Sequence, residues 1–131
     1  MKKKVLVCIT IQENSLRLIK EGSSLASSQD AEFHILHVEK GMSIFDQEGS
    51  VSVLEKLFEL GKELGGEIHF ISDQDVVGRI VKMTRDLEIT HLIIGQTMEN
   101  KVKRLLKKDM NNRLVTSLDN IEIVVMDRYN N

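Results

Sequence analysis

The 131-residue chain is long enough for about one domain whose core needs neither disulfides nor a metal. Eighteen Lys and Arg against twenty Asp and Glu leave a net charge near −2, which excludes a basic surface over the whole molecule and general nucleic-acid binding with it. The single cysteine, Cys8, has no disulfide partner, as fits a reducing compartment, and within its apolar run it reads as a small buried hydrophobe.

Three lysines, Lys2 to Lys4, precede the first apolar run in the manner of a signal peptide. That run stops at Gln12 and Glu13, no small-residue cleavage site follows, and nothing downstream approaches the roughly 20 apolar residues of a membrane span. A cytoplasmic protein without a membrane partner is expected.

The apolar run Val5–Thr10 reads as the first strand, and Leu18, Ile19, Gly22, Leu25 and Ala26 recur behind it at helical spacing. Phe33–Val38 is the second strand. The connection from Glu39 to Ser50 is about twice the usual length, with Ile44 and Phe45 as the apolar tip of a lid or as packing for the next helix. Leu54, Leu57, Phe58, Gly61 and Leu64 form the second helical stripe, and Ile68–Ile71 the third strand. Ser72-Asp73-Gln74-Asp75 has capping-box spacing ahead of a third stripe: Val76, Val77, Ile80, Val81, Thr84 and Leu87. Asp73 and Asp75 are accordingly read as capping groups and not as magnesium ligands. His91–Gly95 is the fourth strand. A short last helix is expected around Met110, Leu114, Val115 and Leu118 with Asp109 as its cap, before a fifth strand at Ile121–Met126.

Strands such as VLVCIT and IVVM are nearly all apolar, as parallel strands covered on both faces must be. Strict alternation with helices implies right-handed crossovers and a single-domain α/β fold over residues 1–131, an open doubly wound parallel five-stranded sheet. In such a sheet ligands sit beyond the carboxyl ends of the strands where the strand order reverses. If the reversal lies between the first and fourth strands, Thr10 to Ser15 and Gly95-Gln96-Thr97 line the crevice.

The runs VLVCITIQENSLRLIKEGSSLA, AEFHILHVEK, LEITHLIIG and IEIVVMD resemble a universal stress protein domain of the UspA type, over essentially the whole chain. The form it resembles most is the Usp domain of KdpD-type potassium-sensor kinases. The resemblance implies a Rossmann-like fold of the adenine nucleotide alpha hydrolase kind. ATP-binding members carry G-x2-G-x9-G-[S/T] after the fourth strand. Here Gly95 fills the first position, but Met98, Lys108 and Asp109 stand at the other three, and Thr10 replaces an aspartate common at the end of the first strand. Glycine lets backbone amides approach a phosphate where methionine and lysine do not, and an aspartate at a helix start repels an anion, so these departures weigh against the usual ATP mode.

Lys101, Lys103, Arg104, Lys107 and Lys108 crowd the same stretch, either as a solvated face or as a lid that offers side-chain charge to a phosphate. Some KdpD-type domains bind cyclic di-AMP through an S-x-S turn and an F-T-A-x-Y strand. The matching positions here read Thr10-Ile11-Gln12 and Phe33-His34-Ile35-Leu36-His37, and only Phe33 and one hydroxyl survive. If ATP or cyclic di-AMP binds at all, the candidate contacts are Thr10, Gln12, Phe33, Val38, Gly95, Thr97, Lys101 and Arg104.

The remaining chemistry is sparse. His34 and His37 point to opposite faces of a strand and share no metal, and His69 and His91 read as structural. No metal site is expected. There is no G-x-S-x-G, G-x-G-x-x-G or Walker lysine motif. The fifth strand, an edge strand by the resemblance and unguarded by lysine or proline, predicts a homodimer with Ile123 and Val125 near its seam. The favoured reading is a non-enzymatic regulatory protein that acts through dimerisation or partner contact. A nucleotide-binding sensory module is the alternative, and slow nucleotide hydrolysis is third.

Overall fold

The computed structural model describes residues 2–11, 14–41, 49–111 and 121–126. Along them alternate β1 Lys4–Cys8, α1 Ser15–Gln29, β2 Glu32–Glu39, α2 Ser50–Glu63, β3 Glu67–Ser72, α3 Val76–Asp86, β4 His91–Gly95, α4 Glu99–Asn111 and β5 Glu122–Met126. The strands pair in parallel in the order β3-β2-β1-β4-β5. The order therefore reverses between β1 and β4, as the crevice argument requires.

Side-chain alternation divides the core into two layers. Val5, Val7, Phe33, Ile35 and Ile93 pack on one face of the sheet against Leu18, Ile19 and Ala26 of α1 and Leu57 of α2. Leu6, Leu36, Val38, Leu92 and Ile94 pack on the other face against Ile80 and Val81 of α3 and Val102 and Leu106 of α4. Asp75 caps α3 by accepting a hydrogen bond from the Gly78 amide at 3.0 Å, and Asp73 accepts from the Asp75 amide and from Arg79 Nε, each at 2.9 Å. Asp75 thus has the capping role its position suggests, whereas Asp73 holds the amide of Asp75 and the Arg79 side chain just ahead of the helix.

The last helix departs from expectation. Asp109 does not cap it, because α4 already runs from Glu99 and carries residue 109 in its final turn. Val102, Leu105 and Leu106 supply the stripe, with Val102 wholly buried, and Lys103 reaches back one turn to Glu99 at 2.6 Å. Charge on the outer face masks this periodicity in the sequence. Leu114, Val115 and Leu118 lie outside the described residues, as do Gln12, Ile44 and Phe45.

Gly22 lets α1 approach the sheet. A Cβ there would collide with the Val7 side chain and meet Phe33 Cε1 at 2.8 Å. Gly22→Ala is expected to destabilise the protein by about 1–3 kcal/mol through overpacking, read as a lower urea midpoint; an unchanged midpoint would mean that α1 and β1 are not in such close contact.

Candidate functional site

β1 is followed by a helix on one face of the sheet and β4 by a helix on the other, so the chain parts beyond their carboxyl ends. The opening encloses about 200 Å³ and is lined mostly by apolar side chains, among them Ile9, Leu18, Leu36, Val38, Ile80, Met98 and Met126. Its polar groups come from Thr10, Asn14, Ser15 and Arg17 on one side and Gln96 and Thr97 on the other.

Ser15 fixes the first of these edges. Its buried hydroxyl donates to the Thr10 carbonyl at 2.7 Å and accepts from the Thr10 amide at 3.2 Å, so the turn after β1 is tied to the first residue of α1. The exposed Thr10 side chain lies 3.4 Å from the same oxygen. On the opposite edge Gly95 is extended, with φ −74° and ψ 158°, and leads through a single 3-10 turn at Gln96–Met98 directly into α4. Gly95 borders open space and its φ is one that any residue adopts.

Of the residues singled out from sequence, Thr10, Val38, Gly95 and Thr97 come together here. Gln12 lies outside the described residues. Phe33 is not in the crevice: it stands near the amino end of β2, buried against Gly22 and Gly66, at the end of the strand away from the crevice. Lys101 and Arg104 do not line the crevice either; both are exposed on α4. Sequence reasoning missed Arg17, whose Nε and Nη1 are shielded from solvent at the crevice wall. Its signal was one of position, within the first turn of the helix that follows β1.

No family model matches the chain. Over 123 residues, 94% of its length, the chain is 24% identical to the putative sensor protein KdpD of Synechocystis, and it spans 33% of that relative. A universal stress protein solved in complex with cAMP superposes with a TM-score of 0.61 at 15% identity, over 96% of this chain and 97% of the other. The fold is that of the universal stress proteins. A second such protein, from Archaeoglobus fulgidus in complex with dAMP, gives a TM-score of 0.63 at 13% identity, over 94% and 96% of the two chains.

Within this universal stress protein-like fold, the positions of the glycine signature take a definite form. Met98 closes the 3-10 turn, while Lys108 and Asp109 lie inside α4. The basic run is thus a helix surface, with Lys101, Lys103, Arg104, Lys107 and Lys108 all exposed. Among the described residues no helix is long and apolar enough to cross a membrane.

The histidines separate as strand alternation requires. His37 is buried, with Nδ1 3.0 Å from the Ile9 carbonyl and Nε2 2.7 Å from Glu39. His91 bridges Thr90 and Glu122 at 2.9 and 3.1 Å. His34 meets His69 of β3, a juxtaposition the sequence does not reveal because it depends on strand register. Desolvation lowers the pKa of His69, opposed by Glu67 and reinforced by His34. The hydrogen bond from His34 holds the Glu32 carboxyl below its usual range.

Cys8 lines the crevice, and burial pushes its thiol up to about 12. A raised pKa stabilises the protonated folded state, so this contribution is intact below the unfolded thiol value near 9 and is lost as pH climbs from there toward 12. At pH 8 little thiolate exists in the fold, and alkylation of Cys8 is expected to be at least ~100-fold slower than in the urea-unfolded chain, measured by mass spectrometry. Equal rates would mean that the crevice wall is open to solvent.

Proposed function

We propose that the chain is a regulatory universal stress protein-like module that acts by pairing with a second copy or by contacting a partner, without turning over a nucleotide. The path of the backbone after Gly95 carries this reading. One 3-10 turn leads straight into α4, so the positions at which ATP-binding members place their later glycines are helical. Amides beyond the first turn of a helix, such as those of Lys108 and Asp109, are committed to carbonyls four residues back and do not turn toward a phosphate. The cations offered in their place, Lys101 and Arg104, face solvent. A stress-regulatory role agrees with the fold and with similarity to a sensor protein. Support for pairing comes from β5, an edge strand whose Ile123, Val124 and Val125 are partly exposed.

A second reading, a nucleotide-binding sensory module for ATP or cyclic di-AMP, is favoured by the convergence of Thr10, Val38, Gly95 and Thr97 on the crevice and by the cAMP and dAMP held by the two structural neighbours. At about 200 Å³ the space is below the ~300 Å³ at which small-molecule sites begin, so it suits a base with its phosphates outside.

Calorimetric titration of nucleotide-stripped protein with ATP, cyclic di-AMP and cAMP, with and without magnesium, separates the two readings. The first expects no saturable heat at about 1 mM ligand. It also expects a dimeric mass at micromolar concentration that falls to the monomer in Ile123→Lys, whose added charge guards the edge strand. Saturable binding weakened at least ~10-fold by Thr10→Ala would instead establish the second. A monomer that binds none of the ligands would overturn pairing and leave partner contact alone.

A further inference from the structure

Away from the crevice, three side chains gather on the outer edge of the sheet near its amino end. His34 of β2 is buried at 4% exposure, and Glu67 and His69 stand on the edge strand β3, Glu67 directly opposite His34 in the register. One ligand atom from each lies within 4.8 Å of the other two. His34 Nδ1 is 3.1 Å from His69 Nε2 and 3.5 Å from Glu67 Oε2.

These separations suit a hydrogen-bonded pair of rings, and they also suit a shared cation. Zinc bonds of about 2.0–2.1 Å in tetrahedral array place neighbouring ligand atoms ~3.3–3.5 Å apart, so both separations at His34 fit an ion after shifts of a few tenths of an ångström, and the His69–Glu67 separation, within 4.8 Å, closes by rotation of the exposed Glu67 side chain. The far side of His34 decides how its ring is presented. Its Nε2 lies 3.1 Å from Glu32 Oε1, and an ionised carboxylate only accepts, so Nε2 carries the ring proton. Nδ1 is then left with its lone pair directed toward His69 and Glu67. A carboxylate that holds the outer nitrogen of a histidine is the usual support of a metal-ligating ring.

We propose that His34, His69 and Glu67 form a binding site for a divalent transition ion of the zinc type, with Glu32 orienting His34 from outside the ligand set. Two imidazoles and one carboxylate select such an ion over magnesium or calcium, which prefer all-oxygen surroundings. On binding, the proton on His69 Nε2 moves to its Nδ1, so both rings ligate in neutral form. Glu67 keeps 69% of its side chain exposed, which leaves a way in and a fourth position for water. The ion fastens the edge strand β3 to β2. Neither of the other buried histidines offers this, since both ring nitrogens of His37 and of His91 are taken by groups of the chain.

The test is zinc titration of the chelator-stripped full chain by calorimetry, with cobalt(II) as a spectroscopic substitute. One equivalent is expected to bind, to give the visible absorption of four-coordinate cobalt and to raise the thermal midpoint. Glu67→Gln alters an exposed side chain and leaves the core intact; it and His69→Ala are expected to weaken binding at least ~10-fold, and Glu32→Gln about tenfold, whereas His91→Ala changes nothing. The proposal is overturned if no stoichiometric binding occurs, if magnesium binds as tightly as zinc, or if Glu67→Gln and His69→Ala bind zinc like the parent. The last result would assign the ion to adventitious ligands elsewhere.

Discussion

Burial of β1 between β2 and β4 is the constraint from which the rest of the molecule follows. Val5, Leu6 and Val7 have no solvent exposure, so the strand is closed on both faces and along both edges. Its backbone polar groups have to be satisfied by neighbouring strands, which a parallel ladder on each side achieves. The register on the β4 side is pinned where the strand begins: the Thr90 hydroxyl accepts from the Lys4 amide at 2.9 Å and donates to the Lys4 carbonyl at 3.0 Å. A strand so enclosed has no room for polar chemistry along its length. The first positions free to carry it are those just beyond its carboxyl end, and there Thr10 and the Ser15 hydroxyl meet the crevice.

Much of this was legible in the sequence, and for a physical reason. Runs such as VLVCI and HLIIG belong to strands with two covered faces, and apolar recurrence at Leu18, Ile19 and Ala26 belongs to a helix with one, so composition and period report burial directly. The same logic, with the reversal placed between the first and fourth strands, identified the carboxyl-end crevice and six of its lining residues, Thr10, Asn14, Ser15, Gly95, Gln96 and Thr97. It failed where another signal outweighed the period. In α4, among the described side chains, Val102 and Leu106 are buried and Leu105 partly so amid five basic residues, and charge density concealed the stripe. Phe33 shows a different limit. A motif match places a residue in a strand but does not say which end of the sheet the chemistry occupies, and Phe33 serves packing at the amino end. The His34–His69 contact was invisible for a third reason, because 35 residues separate the two rings and only the β2–β3 register unites them.

The crevice and the segment after β4 also stand in a particular relation. A phosphate cradle needs backbone amides left unsatisfied and a chain loose enough to wrap them around an anion. Here the same stretch of sequence buries Val102 and Leu106 in the α3 side of the core, and that burial holds the backbone helical. Packing and phosphate wrapping thus compete for one segment, and on the reading proposed above packing prevails. The lysines then fall on the side of the helix that the core does not use.

The two margins of the sheet are unlike each other. β3 ends it with Glu67 and His69 and with an exposed Glu67 carboxylate, whereas β5 ends it with Ile123, Val124 and Val125. A sheet with two adhesive margins polymerises, because each added copy presents a fresh margin to the next. The β3 margin also exposes Phe70, so its contrast with β5 rests on the Glu67 charge, and if copies join as proposed, β5 against β5, both outward margins are β3. A pair formed in that way would close as a symmetric dimer and would not propagate into a fibre.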